Sequence, residues 1–393
     1  MAQTELREAS VLLLDIDAKQ SNDRTWCFWA SGNSNHDDIV RKKWPALYFH
    51  GDEWRRGGTL EGLSYQMIRG LDFYKKVHQV LANCPNFEFR QEQVTAYRSE
   101  AEGAVVETDK STYWAPIVFN SCLRPAMSKP AVSHFLLQHF TGWWIKTEED
   151  CFNPEEGVLM DFRTPQYGSA RFFYLLPLNK REALVEYTIF SPERLQPHHY
   201  EQALATYLEE QCALPAYQIT DRESGAIPMT DWKSPSYYCP NVLNIGTHGG
   251  AVKPTTGYAF QNIQRQARQL VEQMRMGKTL SPKLKQKSRF RFYDQLLLNI
   301  LQEHGEEGKG IFSRLFRYNR MSRILQFLEE QTNIRQEVRI FASLPILTFL
   351  MAVVRVHVLP FIKGFTGWKK PLGRGSEQAM LPALPKQQKR KVV

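Results

Sequence analysis

The sequence predicts a mixed α/β fold with α+β character, in which a large sheet is followed by a helical C-terminal part. Three observations predict this class. Val11–Leu14 is a short run of valine and leucine that is typical of a buried parallel strand. Residues 135–190 contain four strand-like runs, which imply a long sheet. Asn244–Phe260 is a glycine-rich loop that follows an apolar run and leads into a helical pattern.

Length and composition indicate a globular protein with two or three subdomains. The chain has 393 residues, of which 42% are hydrophobic. Its six cysteines are widely spaced without a CxxC pair, which argues against a metal site or a disulfide framework and favours a reducing cytosolic setting. The net charge of +9 suits nucleic acid or an anionic membrane. Basic stretches at Lys283–Arg291 and Lys386–Lys391, combined with apolar segments, favour the membrane surface over nucleic acid.

The first third of the chain alternates strand and helix patterns. Asp15 ends the first strand. In dinucleotide-binding folds such a carboxylate accepts hydrogen bonds from a ribose, and elsewhere it is a turn former. Apolar residues at helical spacing predict a helix over Gly62–Cys84. Packed loops or edge strands are predicted at Arg24–Trp29 and Trp44–Phe49. A hairpin is predicted from Phe87–Tyr97 and Ala104–Asp109, and a strand at Tyr113–Cys122.

The remainder of the chain changes from sheet to helix. A proline turn is predicted at Ser224–Thr230, before a strand at Asn241–Ile245. The predicted helices are Tyr200–Cys212, Gln261–Met276, Phe292–Leu301 and Ser322–Glu330, with a basic linker at Leu284–Arg291. The longest apolar segment, Ile340–Val354, is shorter than the roughly 20 residues that a spanning helix needs. It is predicted to be a core helix or a helix that lies on a bilayer.

The glycine-rich loop has two interpretations. Gly246, Gly249, Gly250 and Gly257 permit backbone conformations and close approaches that side chains would block. Because helix N-termini carry unpaired N–H groups and a partial positive charge, the loop suits an anion such as a cofactor diphosphate. The alternative is an ordinary turn at the start of a helix.

Four motifs occur in a fixed order along the chain. They are Met160–Thr164 (MDFRT), Phe173–Ser191 (FYLLPLNKREALVEYTIFS), Glu223–Thr230 (ESGAIPMT) and KPTTGY, which begins at Lys253 inside the glycine loop. With this set the chain resembles bacterial lycopene cyclases from about Val11 to about Val354. Each motif is weak alone, and the ordered set is specific.

The resemblance implies a flavoprotein of the hydroxylase and reductase group. A Rossmann-like FAD-binding domain would comprise residues 1–110 and 223–282, with an antiparallel substrate-binding sheet at 111–222. A helical C-terminal region at 283–362 and a mobile basic tail at 363–393 would follow. FAD, reduced by NAD(P)H, would act as an acid or an electrostatic stabiliser. The protein would be cytoplasmic and peripheral on the inner face of the cell membrane, in an oligomeric state that the resemblance leaves open.

The implied reaction is lycopene β-cyclisation, which converts the ψ-ends of lycopene and other acyclic carotenes into the β-ionone rings of β-carotene without net oxidation. An acid protonates a terminal double bond, a carbocation closes the ring, and a neighbouring proton is lost. Such an acid must be held protonated in an apolar cavity. Glu186 lies in the apolar strand Ala183–Phe190 and matches the family's acidic residue, whereas its alternative is an acid on a solvent-facing edge strand. Glu223 matches a second family acid that shares protons with Glu186 or orients it; its alternative is a turn-capping acid.

Other site residues follow from the motifs. Asp161 and Arg163 alternate along one strand, so their side chains would face the same side. This charge pair would either steady the flavin side of the pocket or tie strands together. Phe173, Tyr174 and Tyr187 would line the substrate pocket, with Trp143, Trp144 and Phe172 as further candidates for a hydrocarbon tunnel, or would be core residues. The cofactor-binding candidates are Asp15, Gly246, His248, Gly249, Gly250, Lys253, Thr255, Thr256 and Gly257.

The sequence departs from the family at its start. The family begins with a strand and a GxGxxG loop that hold the ADP part of FAD, and this unit is missing before Val11–Leu14. We therefore expect an N-terminally truncated FAD domain, from a mis-assigned start, that binds FAD weakly with little cyclase activity. Two alternatives are a flavin-dependent prenyl-chain reductase or hydroxylase, which usually has Gly-Asp where this chain has Gly246-Thr247, and a catalytically inactive membrane-surface fragment.

Overall fold

A computed structural model describes residues 9–32, 35–122 and 134–359; the basic tail 363–393, with Lys386–Lys391, lies outside these residues. The strands are β1 (Val11–Asp15), β2 (Thr25–Ala30), β3 (Lys42–Trp44), β4 (Ala46–His50), β5 (Arg55–Thr59), β6 (Ser64–Arg69), β7 (Phe87–Gln91), β8 (Val94–Glu100), β9 (Gly103–Thr108), β10 (Thr112–Ala115), β11 (Val118–Asn120), β12 (Phe135–Thr147), β13 (Glu156–Asp161), β14 (Ala170–Pro177), β15 (Glu182–Ser191), β16 (Tyr217–Thr230), β17 (Tyr237–Cys239) and β18 (Val242–Asn244).

The helices are α1 (Gly70–Leu81), α2 (Pro197–Thr206), α3 (Phe260–Arg275), α4 (Ser288–Glu303), α5 (Glu307–Tyr318), α6 (Met321–Leu328), α7 (Ile334–Ala342) and α8 (Ile346–Val353). Helix α2 continues as a π-helical turn over Tyr207–Gln211, and α8 does so over Val354–Val358. The mixed α/β class predicted from the sequence is confirmed.

A seven-stranded sheet forms the centre of the molecule, in the order β16-β12-β15-β14-β13-β4-β5. It is antiparallel except for the parallel pair β13 and β4. The four strands expected within residues 135–190 are all present. The sheet also extends beyond segment 111–222, because β4 and β5 join it from the first third of the chain.

The two faces of this sheet pack against different partners because successive side chains of a strand point in opposite directions. On one face, Val185 and Tyr187 of β15 pack beneath α2. On the other face, Leu184 and Phe190 of the same strand belong to the main core, which includes β2, β6 and the C-terminal helices. Glu186 lies between Val185 and Tyr187 in sequence, so its side chain projects toward the main core.

The smaller sheets include two parallel pairs. Strand β1 pairs with β7, and β11 pairs with β18, which also carries the antiparallel strand β17. Strands β8, β9 and β10 form a separate antiparallel sheet. The parallel strand predicted at Val11–Leu14 is present but is not buried: Leu12 and Leu13 remain 37% and 41% exposed in their two-stranded sheet.

Two local predictions are wrong. The first half of the helix predicted over Gly62–Cys84 is strand β6, which lies between β2 and β3; pairing on both edges overrides the helical spacing of its apolar residues. The proline turn predicted at Ser224–Thr230 is instead part of β16. Pro228 is tolerated there because β16 is an edge strand, where one side of the backbone needs no ladder hydrogen bond.

The C-terminal region is helical, as predicted, and its elements are more numerous than expected. Helix α4 begins inside the predicted basic linker, and α5 was not predicted. The apolar segment Ile340–Val354 spans parts of α7 and α8, which meet at an angle of 112° near Pro345. Within the described residues no single helix meets the length and hydropathy needed to cross a bilayer, whereas the bent pair α7 and α8 meets both when its parts are taken together.

Candidate active site

Two carboxylates of the central sheet meet across a glycine. Gly142 of β12 is the register partner of Glu186 on β15 and also of Glu223 on β16. Both acids therefore occupy equivalent positions on the strands that flank Gly142, and both project to the main-core face. The structure thus brings together the two residues predicted as catalytic acids.

Gly142 leaves the space that the two side chains use. A Cβ atom at this position would lie 3.2 Å from Cγ of Glu223, 3.2 Å from Cδ1 of Leu184 and 3.6 Å from Cβ of Glu186. Two of these contacts are tighter than ordinary van der Waals separation. Any side chain at residue 142 would therefore stand between the carboxyl groups.

Glu186 is kept protonated by its surroundings. Burial, followed by the nearby charge of Glu223, raises the pKa of Glu186 to about 8, against a small opposing effect of the hydrogen bond from Thr188 Oγ1. That hydrogen bond, 2.8 Å long, is donated to Oε1. The side chain nevertheless keeps part of its surface accessible, as expected for a group that faces an interior space. At neutral pH Glu186 is consequently an acid that still holds its proton.

Glu223 has a different set of partners. Thr25 Oγ1 of β2 and Trp144 Nε1 of β12 both donate to its Oε2, at 2.7 Å and 3.2 Å. Burial raises the pKa of Glu223, and these two hydrogen bonds oppose the rise. The charge of Asp221 adds to the rise, and the Arg69 guanidinium, which lies 5.1 Å from the Trp144 ring centroid, opposes it through its positive charge. Glu223 is therefore the better stabilised of the two acids as an anion.

Aromatic rings surround this pair. Tyr174 of β14 is the register partner of Glu186 on its other side. Tyr258, from the KPTTGY motif, places its hydroxyl 3.1 Å from that of Tyr65 and its ring 4.6 Å from that of Trp29. Burial and the charge of Glu186 both raise the pKa of Tyr174 and of Tyr258, which places these phenols near the acid. These rings form a cluster around the Glu186 carboxyl, and we refer to the surroundings that Trp29, Tyr65, Tyr174 and Tyr258 form there as the chamber.

The predicted pocket residues are divided between the two faces of the sheet. Tyr174, Trp144 and Phe172 lie on the face of Glu186. Phe173, Tyr187 and Trp143 lie on the opposite face under α2, where Phe173 stacks on Tyr207 with ring centroids 3.9 Å apart. The expectation that all six line one cavity is corrected, because adjacent residues of a strand cannot share a face.

Asp161 and Arg163 also lie away from the carboxyl pair. Asp161 is fully buried, accepts hydrogen bonds from Tyr207 Oη (2.8 Å) and Arg163 Nη2 (2.6 Å), and approaches His50 Nδ1 at 3.1 Å. Burial would raise the pKa of Asp161, but the bonds from His50 and Arg163 outweigh it and hold the pKa below its ordinary range. These contacts connect β4, β13 and the π-helical turn after α2. Asp161 and Arg163 therefore tie strands together, which is the second of the two roles given for them above.

The glycine loop follows the parallel strands β11 and β18. The carboxamides of Asn120 and Asn244 are hydrogen-bonded at the ends of these strands (2.9 Å), and the chain then turns through Gly246 and Gly250, which have φ of +61° and +77°. Ligands of α/β folds bind beyond the carboxyl ends of parallel strands. The helix after the loop begins at Phe260, one residue before the predicted start at Gln261.

The glycines of this loop serve different purposes. A Cβ at Gly249 would collide with the carbonyl oxygen of Asn244 at 2.4 Å, and one at Gly257 would lie 2.5 Å from Oε1 of Gln138, so these two are required by the protein's own packing. At Gly246 and Gly250 the nearest atoms would lie at 4.0 Å and 3.5 Å. The loop therefore leaves room beside Gly246 and Gly250, and this surface fits a cofactor. His248 is buried in the same loop, with its ring 6.5 Å from that of Trp232.

Three other cofactor candidates have partners within the protein. Lys253 Nζ is 3.0 Å from Asp294 and 3.0 Å from Glu330, and Thr255 Oγ1 donates to Asp294 at 2.8 Å. Thr256 Oγ1 accepts a long hydrogen bond from the Tyr258 amide, at 3.4 Å. The anion that Lys253 contacts is thus a pair of carboxylates of the C-terminal region, and the segment is tied to α4.

Asp15 acts as a turn former in this structure. Its Oδ1 accepts a hydrogen bond from the Asp17 amide at 2.9 Å, and Lys19 Nζ lies 3.5 Å from its Oδ2. Both interactions are local to the turn after β1. The ribose role stays a prediction.

The sequence did not single out several residues that build the chamber: Thr25, Cys27, Trp29, Tyr65 and Gly142. The first three lie on β2, predicted only as an aromatic-rich edge, and Tyr65 lies on β6, predicted as helix. Gly142 interrupts the otherwise apolar run HFTGWWIKT, and a glycine inside a strand pattern signals close approach of neighbours. That signal could have indicated the site.

The fold and the site together define a class: a mixed α/β protein with a protonated carboxyl in a ring-lined chamber beside a cofactor-type glycine loop. The lycopene cyclase protein family matches residues 2–354. The chain therefore belongs to the lycopene cyclase family. No curated protein matches it in sequence.

Comparison with solved structures shows the fold of a flavoprotein. A flavoprotein/dehydrogenase from Cytophaga hutchinsonii is similar with a TM-score of 0.51 at 11% identity, over 77% of this chain and 83% of that one. A geranylgeranyl bacteriochlorophyll reductase-like protein from Thermoplasma acidophilum has a TM-score of 0.49 at 10% identity, over 92% and 93%. A flavin-dependent brominase has a TM-score of 0.48 at 15% identity, over 86% and 88%.

Proposed function

We propose that this protein is a lycopene β-cyclase that uses Glu186 as its acid. The observation that supports this most directly is the pairing of Glu186 and Glu223 across Gly142 inside an aromatic chamber. A protonated carboxyl can add a proton to an alkene only where no water competes for it, and burial provides this condition. The substrate class, an acyclic carotene, is an apolar chain that suits a chamber lined by rings.

The reaction balances without an oxidant or a reductant. Glu186 transfers its proton to the terminal double bond of a ψ-end, which leaves a carbocation on the neighbouring carbon. The ring closes when a second double bond of the substrate attacks this carbon, and the charge moves into the ring. Loss of a ring proton to a carboxylate restores a double bond. The product is an isomer of the substrate, and the enzyme keeps its proton count.

The rings around Glu186 have a role in the charged stage. The faces of Trp29, Tyr174 and Tyr258 carry negative electrostatic potential, which stabilises a cation as it does in ammonium recognition. The Glu223 carboxylate adds a full negative charge near the same position. These groups are fixed by the sheet and by the Tyr65–Tyr258 contact, so they need little reorganisation when the carbocation forms.

FAD is the proposed cofactor, and the surface beside Gly246, His248 and Gly250 would hold it. Reduced flavin supplies an acidic or electrostatically stabilising group near the substrate when it is bound. The chain's own contribution is the loop backbone at two glycines with positive φ and the anchor of this loop, in which the Gly246 amide donates to Gln266 Oε1 at 2.7 Å. Flavin absorbance of the purified protein, with a thermal shift on added FAD, tests this part.

Expression in a host that accumulates lycopene tests the function. The wild-type chain, from which the sequence leads us to expect little activity, should form at least a detectable amount of orange product with the mass of lycopene, and Glu186→Gln should form none. Glu182→Gln is the matched control, because Glu182 belongs to the same strand but lies at its exposed end. Unchanged colour with the soluble, flavin-loaded wild type would contradict the cyclase proposal. Products of altered mass would instead indicate the prenyl-chain reductase or hydroxylase alternative.

Peripheral attachment to the inner face of the cell membrane is a further part of the proposal, since lycopene resides in lipid. Helix α8 and its π-helical extension expose Ile346, Leu347, Leu350, Met351 and Val354 along one stripe. The neighbouring helix α7 exposes Ile334 and Val338, each followed directly by an exposed arginine, Arg335 and Arg339. An apolar stripe beside basic side chains matches the requirements of an anionic bilayer surface.

A further inference from the structure

Glu186 and Glu223 face the same chamber but have different hydrogen-bond environments. The single side-chain donor to Glu186 among the described residues is Thr188. Glu223 has two donors on one oxygen, a hydroxyl from β2 and an indole N–H from β12. The second of these donors is itself covered by Arg69, whose guanidinium also pairs with Asp221 at 3.1 Å.

The position of Trp144 follows from the strand. It is two residues beyond Gly142 on β12, so both share the main-core face, and its register partner on β15 is Leu184. Its indole N–H donates to Glu223 Oε2 at 3.2 Å. Thr25 reaches the same oxygen from a different sheet, which closes the chamber between β2 and β16. Two independent elements thus hold one carboxylate oxygen in place.

We propose that Trp144 and Thr25 are positioning residues that give the two acids separate roles. They hold Glu223 as the anion across Gly142, which leaves the proton on Glu186. This inference rests on the proposed cyclase function and goes beyond it by assigning Glu223 a separate role. Glu223, already ionised, accepts the proton that the closed ring loses. The proton then passes to the carboxylate left on Glu186, so the pair returns to its starting state after each ring.

The groups that face the two carboxyls come from every surrounding element, and all of them enter the pH dependence: Cys27 from β2, Tyr65 and Arg69 from β6, Tyr174 from β14, Asp221 from β16 and Tyr258 from the loop. Burial raises the pKa of Cys27 and of each of these three tyrosines, so they stay neutral near pH 7. Arg69 and Asp221 form an ion pair, in which Asp221 raises the pKa of Glu223 and Arg69 lowers it. The carboxyls of Glu186 and Glu223 are therefore the groups whose titration the pH profile follows.

The pH profile of cyclisation tests the assignment. The acidic limb should report protonation of Glu223, and the alkaline limb should report loss of the proton from Glu186. Trp144→Phe removes one donor to a charged acceptor, so Glu223 should take up its proton at a pH higher by about one unit. The acidic limb is expected to move by that amount, while the alkaline limb moves much less. Thr25→Val is expected to act in the same direction.

Trp143→Phe is the matched control, since the Trp143 side chain packs on the opposite face of the same strand, under α2. It should leave the acidic limb in place. A Trp144→Phe profile that is lower at every pH with unmoved limbs would show a packing role and overturn the proposal.

An infrared titration of the carboxylic acid C=O band provides a readout that does not depend on activity. In the wild-type protein the second protonated carboxyl of the pair should appear as the pH falls, and in Trp144→Phe it should appear about one pH unit higher. If the band shifts while no carotene is cyclised, the assignment of separate roles to Glu186 and Glu223 stands and the cyclase proposal fails. If cyclisation occurs and neither the C=O band nor the acidic limb of the pH profile moves, the assignment of separate roles to Glu186 and Glu223 fails.

Discussion

Lys253 and Asp294 form a buried ion pair, in which Nζ of the lysine lies 3.0 Å from each carboxylate oxygen. Glu330 accepts from the same ammonium, and Gln286 contacts both acids. Burial would lower the pKa of Lys253, but the charges of Asp294 and Glu330 outweigh it and raise the pKa. The cluster ties the KPTTGY segment, which carries Tyr258, to the C-terminal helices.

Replacing Lys253 by methionine should destabilise the protein by about 3–5 kcal/mol at neutral pH, because two carboxylates remain buried without their cation. The deficit should shrink near pH 5, because burial raises the pKa of Asp294 and favours its protonation once the lysine is gone. Urea unfolding at both pH values measures the effect. Arg98→Met, which removes an exposed ion pair with Glu100, serves as the control and should cost less than about 1 kcal/mol. Equal losses in the two variants would contradict a buried cluster that supports the loop.

Glu186 should make the stability of the wild-type protein depend on pH. Its folded pKa of about 8 lies above that of an unfolded glutamate, so its contribution is fully present below about pH 4.5 and is lost as pH rises through 8. Relative to Glu186→Gln, the wild type should therefore lose about 2–3 kcal/mol of unfolding free energy between pH 6 and pH 9. Denaturant unfolding measures this, and Glu182→Gln should show the wild-type dependence. A constant difference between Glu186→Gln and wild type would mean that the carboxyl titrates normally.

Gly142→Ala should reduce cyclisation at least about tenfold, because the new methyl group would push Glu223 and Glu186 apart and a misplaced acid loses reactive geometry. The same crowding of Leu184 should lower the melting temperature by only a few degrees. Gly310→Ala in α5 is the control, since a Cβ there meets no atom within 4 Å. Full activity of the soluble Gly142→Ala protein would show that the gap between the acids is not needed.

Leu347→Gln combined with Leu350→Gln should weaken membrane binding, because both side chains are more than half exposed on the apolar stripe of α8. Flotation with vesicles containing anionic lipid measures the bound fraction, which should fall several-fold. Tyr167→Gln removes a ring that is 75% exposed outside α7 and α8, and it should float like the wild type. Equal flotation of all three proteins would place the membrane contact elsewhere.

Local patterns predicted much of the secondary structure. The four strands within residues 135–190 and the helices α2 and α3 follow from runs whose apolar spacing agrees with their final environment. Strand β6 could not be predicted in this way, because its pairing partners β2 and β3 override a helical spacing. Pro228 illustrates the same limit: a proline indicates a turn until the sheet order shows that its strand is at the edge.

For the candidate acids, too, the sequence indicated the residues but not their arrangement. Motif resemblance alone indicated Glu186 and Glu223, since both stand in motifs of the lycopene cyclase family. It could not show that Gly142 separates them, because the register between β12, β15 and β16 is set by long-range pairing. It also could not assign Lys253 to Asp294 and Glu330, which lie in a distant part of the chain.

What the sequence by itself determined was the mixed α/β class, the family and the two candidate acids, because these depend on residue types and their order. The tertiary structure decided which of those residues act together. Alternation along a strand sends Tyr174 to the acid and its neighbour Phe173 to the other face, and only the packing of the sheet tells which face holds the chamber. The protonation of Glu186 was likewise decided in three dimensions, since it depends on burial and on a second charge across the glycine.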